Sequence, residues 1–167
     1  MKFLKYVTIL ILLCGVTVAN AQKFGHINSA DLLQLMPEIK KADSTLQAYQ
    51  KQLEDQNQTM ITEFQTKAAS FQKDEATMPD AVKEVKQQEL QDLQTRIQQF
   101  QQGAQDKFST KKEELYSPIL KRAEDGIKAV AKESSYAYVF DTSAGAVVYA
   151  QESDDIMPLV KKKLGLK

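Results

Sequence analysis

Residues 82–105 read VKEVKQQELQDLQTRIQQFQQGAQ. Val85, Leu90, Leu93, Ile97 and Phe100 recur at helical spacing, so the segment is a helix with one thin apolar seam. The rest is polar, and nine of the 24 residues are glutamine. A helix this poor in apolar surface needs a partner of the same kind. Upstream, from Pro37, apolar residues return at Ile39, Ala42, Leu46, Tyr49 and Leu53 in alternating steps of three and four, which is a coiled-coil seam. It continues through Gln56 or Asn57, Met60, Phe64, Ala68 and Phe71, where two consecutive steps of four break the heptad and locally unwind the supercoil.

Between the two helices lies ATMPDA, residues 76–81. Pro79 removes a backbone donor there and biases Met78 away from helical angles, while Thr77 and Asp80 suit caps. A tight reversal is expected, with the second helix running from about Pro79 to Val130 and carrying Val82 and Val85 on its seam. Folding the chain about residue 78 sets Pro37 opposite Pro118, so residues 37–118 form a hairpin arm of roughly 60 Å at 1.5 Å per residue. Residues 22–36 and 119–167 form the body from which it projects. The imperfect seam near Asn57 and Ala68 implies an arm that bends.

The ends of the chain read differently. KFGHIN, residues 23–28, is extended in character, and Ser29 suits the cap of a short helix ADLLQLM that stops at Pro37. After Glu133 the period becomes two: Tyr136, Tyr138 and Phe140 alternate with Ala137, Val139 and Asp141, and AVVYA follows a TSAG turn, as in paired strands. In the last element, DDIMPLVKKKLGL, Pro158 stands at a first helical position. Lys161, Lys162 and Lys163 lie near the negative end of the helix dipole, and Gly165 terminates. The fold class is α+β, a long antiparallel coiled-coil hairpin on a small strand-containing body. Two or three short strands cannot close on themselves, so self-association is the expected cover for their edges and aromatic side chains.

Residues 1–21 read as a cleaved secretory leader: Lys2 and Lys5, an apolar run too short to span a bilayer, then Ala19-Asn20-Ala21. A retained anchor is the alternative, and lipidation at Cys14 is disfavoured by the bulky Leu13 before it. Cleavage leaves Gln22 first, no cysteine for disulfide or thiol chemistry, and 20 basic against 22 acidic residues. That balance offers no general attraction for nucleic acid or anionic lipid.

Catalytic chemistry finds no foothold. His26 is the single histidine and reads as structural, without the companions a transition-metal site requires. Asp141, at a strand end, reads as a turn residue and not a general acid or base. DTSAGA lacks the spacing of a phosphate loop and leads into a strand, and no serine has a base arranged beside it. The doublets Lys40–Lys41 and Lys111–Lys112, near the two arm bases, read as solvated helix faces, the alternative being contact with acidic headgroups or clients. No cofactor is expected.

The order KFGHIN, short helix, MPEIKKAD, long coiled hairpin, YAYVFDTSAGAVVYA and DDIMPLVKKKLGL resembles the Skp (OmpH) family of periplasmic chaperones, over Lys23 to Lys167. The resemblance implies a homotrimer whose strands build a central body. Three hairpins then surround a cavity that holds unfolded outer-membrane proteins without ATP, and membranes are met only through those clients. On this basis Phe24, Ile27, Tyr136, Tyr138, Phe140, Val147 and Tyr149 are assigned to the oligomeric body. Ile61, Phe64, Phe71, Met78, Val82 and Phe100 are assigned to the client-facing arm. Two departures stand out: Met157 precedes Pro158 where many relatives cap the last helix with threonine, and the mature chain is slightly acidic, so lipopolysaccharide binding is assigned to no residue. Glutamine surfaces then have a rationale, since amides donate to and accept from any exposed backbone, and many weak contacts around one cavity give avidity. The rival reading is an exported coiled-coil adaptor or spacer of the cell envelope, which needs no cavity.

Overall fold

The computed structural model describes residues 22–166; the expected leader lies outside them. Strand β1 (Lys23–Ile27) leads through Asn28 into helix α1 (Ser29–Leu35). Helix α2 (Pro37–Asp74) and helix α3 (Asp80–Glu133) form the hairpin, joined by a 3₁₀ turn at Glu75–Thr77. Strand β2 (Tyr136–Asp141), a 3₁₀ turn at Glu152–Asp154 and helix α4 (Met157–Leu164) follow. At 38 residues, α2 is about 57 Å long.

Local chemistry explains the boundaries. The cap of α1 is Asn28, not Ser29: Asn28 Oδ1 accepts the Ala30 and Asp31 N–H groups at 3.1 and 3.2 Å. Ser29 Oγ donates instead to Asp141. Pro37 opens α2 at its first turn, where the missing N–H would be unpaired anyway. At the tip, Thr77 Oγ1 donates back to the Asp74 carbonyl at 3.0 Å, so this side chain closes the first helix and does not cap the second. The N-cap of α4 is Ile156, whose side chain offers no acceptor; Asp155 Oδ1 accepts the Met157 N–H at 2.8 Å in its place. Gly165, at φ 71°, ends α4 in the left-handed conformation.

The strands correct one expectation. β2 pairs with β1, in parallel, and residues 146–150 form no strand in the single chain. A parallel pair needs a crossover, and here the whole hairpin is that crossover. The TSAG turn does form, with the Gly145 N–H donating to the Thr142 carbonyl at 3.2 Å. Beyond it the chain does not return along β2, because β1 captures it: the Gln151 carbonyl meets His26 Nε2 at 2.9 Å and the Ile156 N–H donates to the His26 carbonyl at 3.0 Å. Val148 is left 99% exposed.

A second correction concerns alternation along β2. The register pairs Lys23 with Tyr136 but Phe24 with Tyr138, a bulge that leaves Ala137 over. Tyr136 is thereby separated from Tyr138 and Phe140. Its ring packs under Gly25, where an added Cβ would lie 2.9 Å from it, and Lys23 Nζ sits 4.0 Å from its centroid.

The core lies in the body. Ile27, Leu32, Met36, Ile156 and Val160 are fully buried, each stabilising by about 1.5–3 kcal/mol. Ala42, Ile119, Ala123 and Val130 extend this core into the arm base. Farther out along the arm only Leu46 and Leu93 are buried among the described residues, so the body anchors the hairpin. Helix α3 runs through Pro118 without interruption. Cross-helix contacts join Asp43 to Tyr116, Asn57 to Gln101 and Glu38 to Arg122. The centre of reversal is thus at about residues 79–80 and not 78, because the 3₁₀ turn prolongs the first limb. Pro118 therefore stands roughly one helical turn farther out along the arm than Pro37, and not opposite it.

Candidate functional site

Two surfaces carry the chemistry. On the body, Phe24 stacks on Tyr138 with ring centroids 5.9 Å apart, and Phe140 lies 6.2 Å from Phe24 and 6.5 Å from Tyr138. Parallel pairing of β1 with β2 builds this ladder, since residues of like parity face the same side. All three rings are about half exposed. Beside them a cavity of about 380 Å³ is lined by Phe24, Phe140, Val147 and Tyr149 together with Gly25 and His26. Four of the seven residues assigned to the body thus surround one cavity, and Tyr138 extends its aromatic wall. Ile27, 1% exposed, belongs to the subunit's own core, and Tyr136 lies beneath the sheet. Tyr149 is 81% exposed.

Asp141 organises the end of β2. Its carboxylate accepts the Ser29 N–H at 3.1 Å, the Ser29 hydroxyl at 2.5 Å and the Ser143 N–H at 2.9 Å. Partial burial pushes its pKa up, but the bonds from the Ser29 hydroxyl and the Ser143 and Ser29 backbone outweigh that effect and bring it down to about 2. The carboxylate is a fixed anion in a turn. His26, tied to Gln151, is structural as well.

The second surface is the arm. Ile61, Phe64, Phe71 and Phe100 are half-buried on its helices, and Val82 is exposed on the outside of the tip. Val85 is exposed too, so the seam of α3 begins nearer Leu90 than Val82; Lys83, half-buried, takes the inward position in the first turn. Phe71 and Met78 share a slot of about 190 Å³ near the tip with Leu90 and the stem of Lys86. Phe100 lines a mid-arm slot of about 370 Å³ with Leu53, Ala104 and Phe108, bounded by Gln50, Asn57, Gln101 and Gln105. Gln101 donates to Asn57 across the helices at 3.2 Å, whereas Gln50 and Gln88 donate along their own helices to Glu54 and Asp92.

Several arm lysines are paired within their own helices: Lys51–Asp55, Lys67–Glu63, Lys83–Asp80, Lys86–Glu89 and Lys111–Glu114 all stand three or four residues apart, exposed pairs that add little to stability. Lys111 of the second basic doublet is therefore neutralised locally. Among the described residues no cluster of His, Cys, Asp and Glu has metal-binding form, and no helix is long and apolar enough to cross a membrane.

The half-exposed aromatic face on the small body and the long amide-rich arm are the two exposed features of the chain that stand out. The OmpH family profile (outer membrane protein, OmpH-like) matches residues 23–164, and the chain belongs to that family. It is 26% identical over 159 residues to the chaperone protein Skp of Pectobacterium atrosepticum, covering 93% of each chain. It is 30% identical over 151 residues to that of Yersinia enterocolitica, covering 87% of each. The fold is shared with an OmpH-like outer membrane chaperone from Caulobacter crescentus CB15, at a TM-score of 0.72 and 18% identity over 90% of this chain and 88% of that one. The family consists of chaperones, not enzymes.

Proposed function

We propose that this protein is an ATP-independent holdase of the periplasm that keeps unfolded outer-membrane proteins from aggregating, in a cavity between the arms of a homotrimer. The observation that carries this reading is the division of apolar surface. The arm's apolar residues are largely spent, half-buried, on holding two helices together, so its outer surface offers amides, locally paired charges and slots such as that around Phe100 and Phe108. Such a surface binds many sequences weakly and none tightly. A client that folds into its membrane withdraws the apolar surface on which these contacts depend, so release requires no fuel.

The body supports self-assembly. The aromatic face of Phe24, Tyr138 and Phe140 is exposed in the single chain, as are Val148 and Tyr149. Residues 146–150 have strand composition and no strand partner of their own. Pairing of this segment with the sheet of a second copy satisfies both features. Export through the leader places the assembly where its clients are unfolded, and membranes are reached only through them.

The test is dilution of a denatured β-barrel protein into buffer with the chaperone. The intact protein keeps the barrel soluble at stoichiometric trimer. A variant lacking Thr45 to Thr110 retains its oligomeric mass and loses this protection. Full protection by the armless form eliminates the cavity mechanism, and protection by neither form, with one defined partner recovered, favours an adaptor. Tyr149→Asp should lower the solution mass to that of a single chain while leaving helical content unchanged.

A further inference from the structure

Pro118 has no N–H, so the Glu114 carbonyl four residues earlier loses its donor and the proline ring crowds that turn. The 54-residue α3 therefore has a weak point within its length. Helix α2 crosses it. On the arm side the Tyr116 hydroxyl donates to Asp43, and on the body side the Arg122 guanidinium pairs with Glu38 in the first turn of α2.

Arg122 makes a second contact. Its Nη2 donates to the carbonyl of Leu164, the last residue of α4, at 2.9 Å. Leu164 is itself seated on α3 at Gly126, where an added Cβ would lie 2.7 Å from its Cδ2. One planar guanidinium thus ties together the start of α2, the segment of α3 after Pro118 and the end of α4. The other Glu38 oxygen, Oε2, is buried without a protein partner, so Arg122 is what holds this carboxylate. Among the described residues no other ion pair joins α2 to α3.

Both side chains of the pair are more than a third exposed, at 45% and 38%, so its contribution to stability is small. Its leverage is not small. From Pro118 to Asp80 the helix extends about 57 Å, and a rotation of about 10° at the proline carries the tip about 10 Å.

We propose that Arg122 is a positioning residue: it splints α3 across Pro118 and so sets the direction in which the arm leaves the body, with α4 as the fixed side of the joint. Resting on the chaperone reading above, this makes the joint the determinant of how widely the cavity opens. Lysine keeps the charge but cannot serve both acceptors with a planar fork.

The test places spin labels at Ala76→Cys in the tip and Glu152→Cys in the body of the chain from Gln22 onward, which has no native cysteine. Labelled protein is diluted with unlabelled protein so that each assembly carries one labelled subunit. Pulsed dipolar spectroscopy then reads the tip-to-body distance without any client. The parent distribution, whose width includes bending within the arm, is the reference for the variants. Arg122→Met should broaden the distribution, or shift it by about 2–3 Å because most of the tip's displacement is transverse to the measured vector, with helical content unchanged; Arg122→Lys should lie between, and Glu38→Gln should move in the same direction as Arg122→Met. An Arg122→Met distribution that superimposes on the parent's overturns the proposal. If Arg122→Met loses helix, Glu38→Gln decides alone, and an unchanged distance in that variant overturns it equally. Failure to hold clients with normal distances counts against the chaperone reading and leaves the joint standing.

Discussion

Replacing Asp141 by alanine removes a carboxylate that joins the end of β2 to the start of α1 through Ser29 and to its own turn through Ser143. A fall in pKa from 3.8 to about 2 corresponds to about 2.4 kcal/mol at 1.36 kcal/mol per pH unit. Asp141 is solvent-exposed as a residue, so screening reduces the expected loss at pH 7 to about 1 kcal/mol. The sign follows from the depressed pKa. The unfolded carboxyl binds its proton first, so this stabilisation is complete above about pH 4 and is lost as pH falls through about 2. Urea denaturation followed by circular dichroism, at one protein concentration because assembly contributes to stability, should show Asp141→Ala less stable than the parent by about 1 kcal/mol at pH 7 and nearly equal to it at pH 2. Other acids titrate in both proteins and cancel in the difference. Ser29→Ala should produce part of the same loss and add little to the first substitution. A difference that is the same at pH 7 and pH 2 would falsify the assignment of Asp141 as a hydrogen-bonded anion.

Gly103 lies within α3 with nothing within 4 Å of an added Cβ, so Gly103→Ala should stabilise the arm by about 0.5–1 kcal/mol, seen as slower amide exchange around residues 97–108. Ser135 holds φ 56° between α3 and β2, and Ser135→Gly should raise the unfolding midpoint by the equivalent of up to about 1 kcal/mol. Leu32→Ala opens the fully buried core of the body and should cost about 2–5 kcal/mol in denaturant titration. Gly126→Val should unseat Leu164 and expose α4 to proteolysis while leaving amide protection near Leu93 unchanged.

Some features were legible because their causes are local. Helical spacing in α2 and α3 reports directly which residues can share a seam, and Pro79, holding Met78 away from helical angles and serving as the N-cap of α3, marks where the second helix begins. Pro158 and Gly165 likewise bracket α4 by their own backbone preferences. The candidate surfaces were harder to read. Phe24, Tyr138 and Phe140 were recognisable as aromatic strand residues, yet their stacking depends on the pairing of strands more than a hundred residues apart in sequence. Ile27 belongs to the same strand as Phe24, but parity places it in the core. Arg122 had no sequence signal of its own, because its acceptors, Glu38 and Leu164, lie far away in sequence on two other elements.

An arm, its reversal near Pro79 and a body made from both ends of the chain follow from residue type and short-range period. Tertiary structure alone decided that β2 lies parallel to β1, that a bulge turns Tyr136 inward, that residues 146–150 are left without a strand partner and that Pro118 is bridged from α2. The physical reason is that a strand's edge, a bulge and a guanidinium each accept several partners of equal local quality. Which partner arrives depends on how the 54-residue helix α3 delivers one end of the chain back to the other.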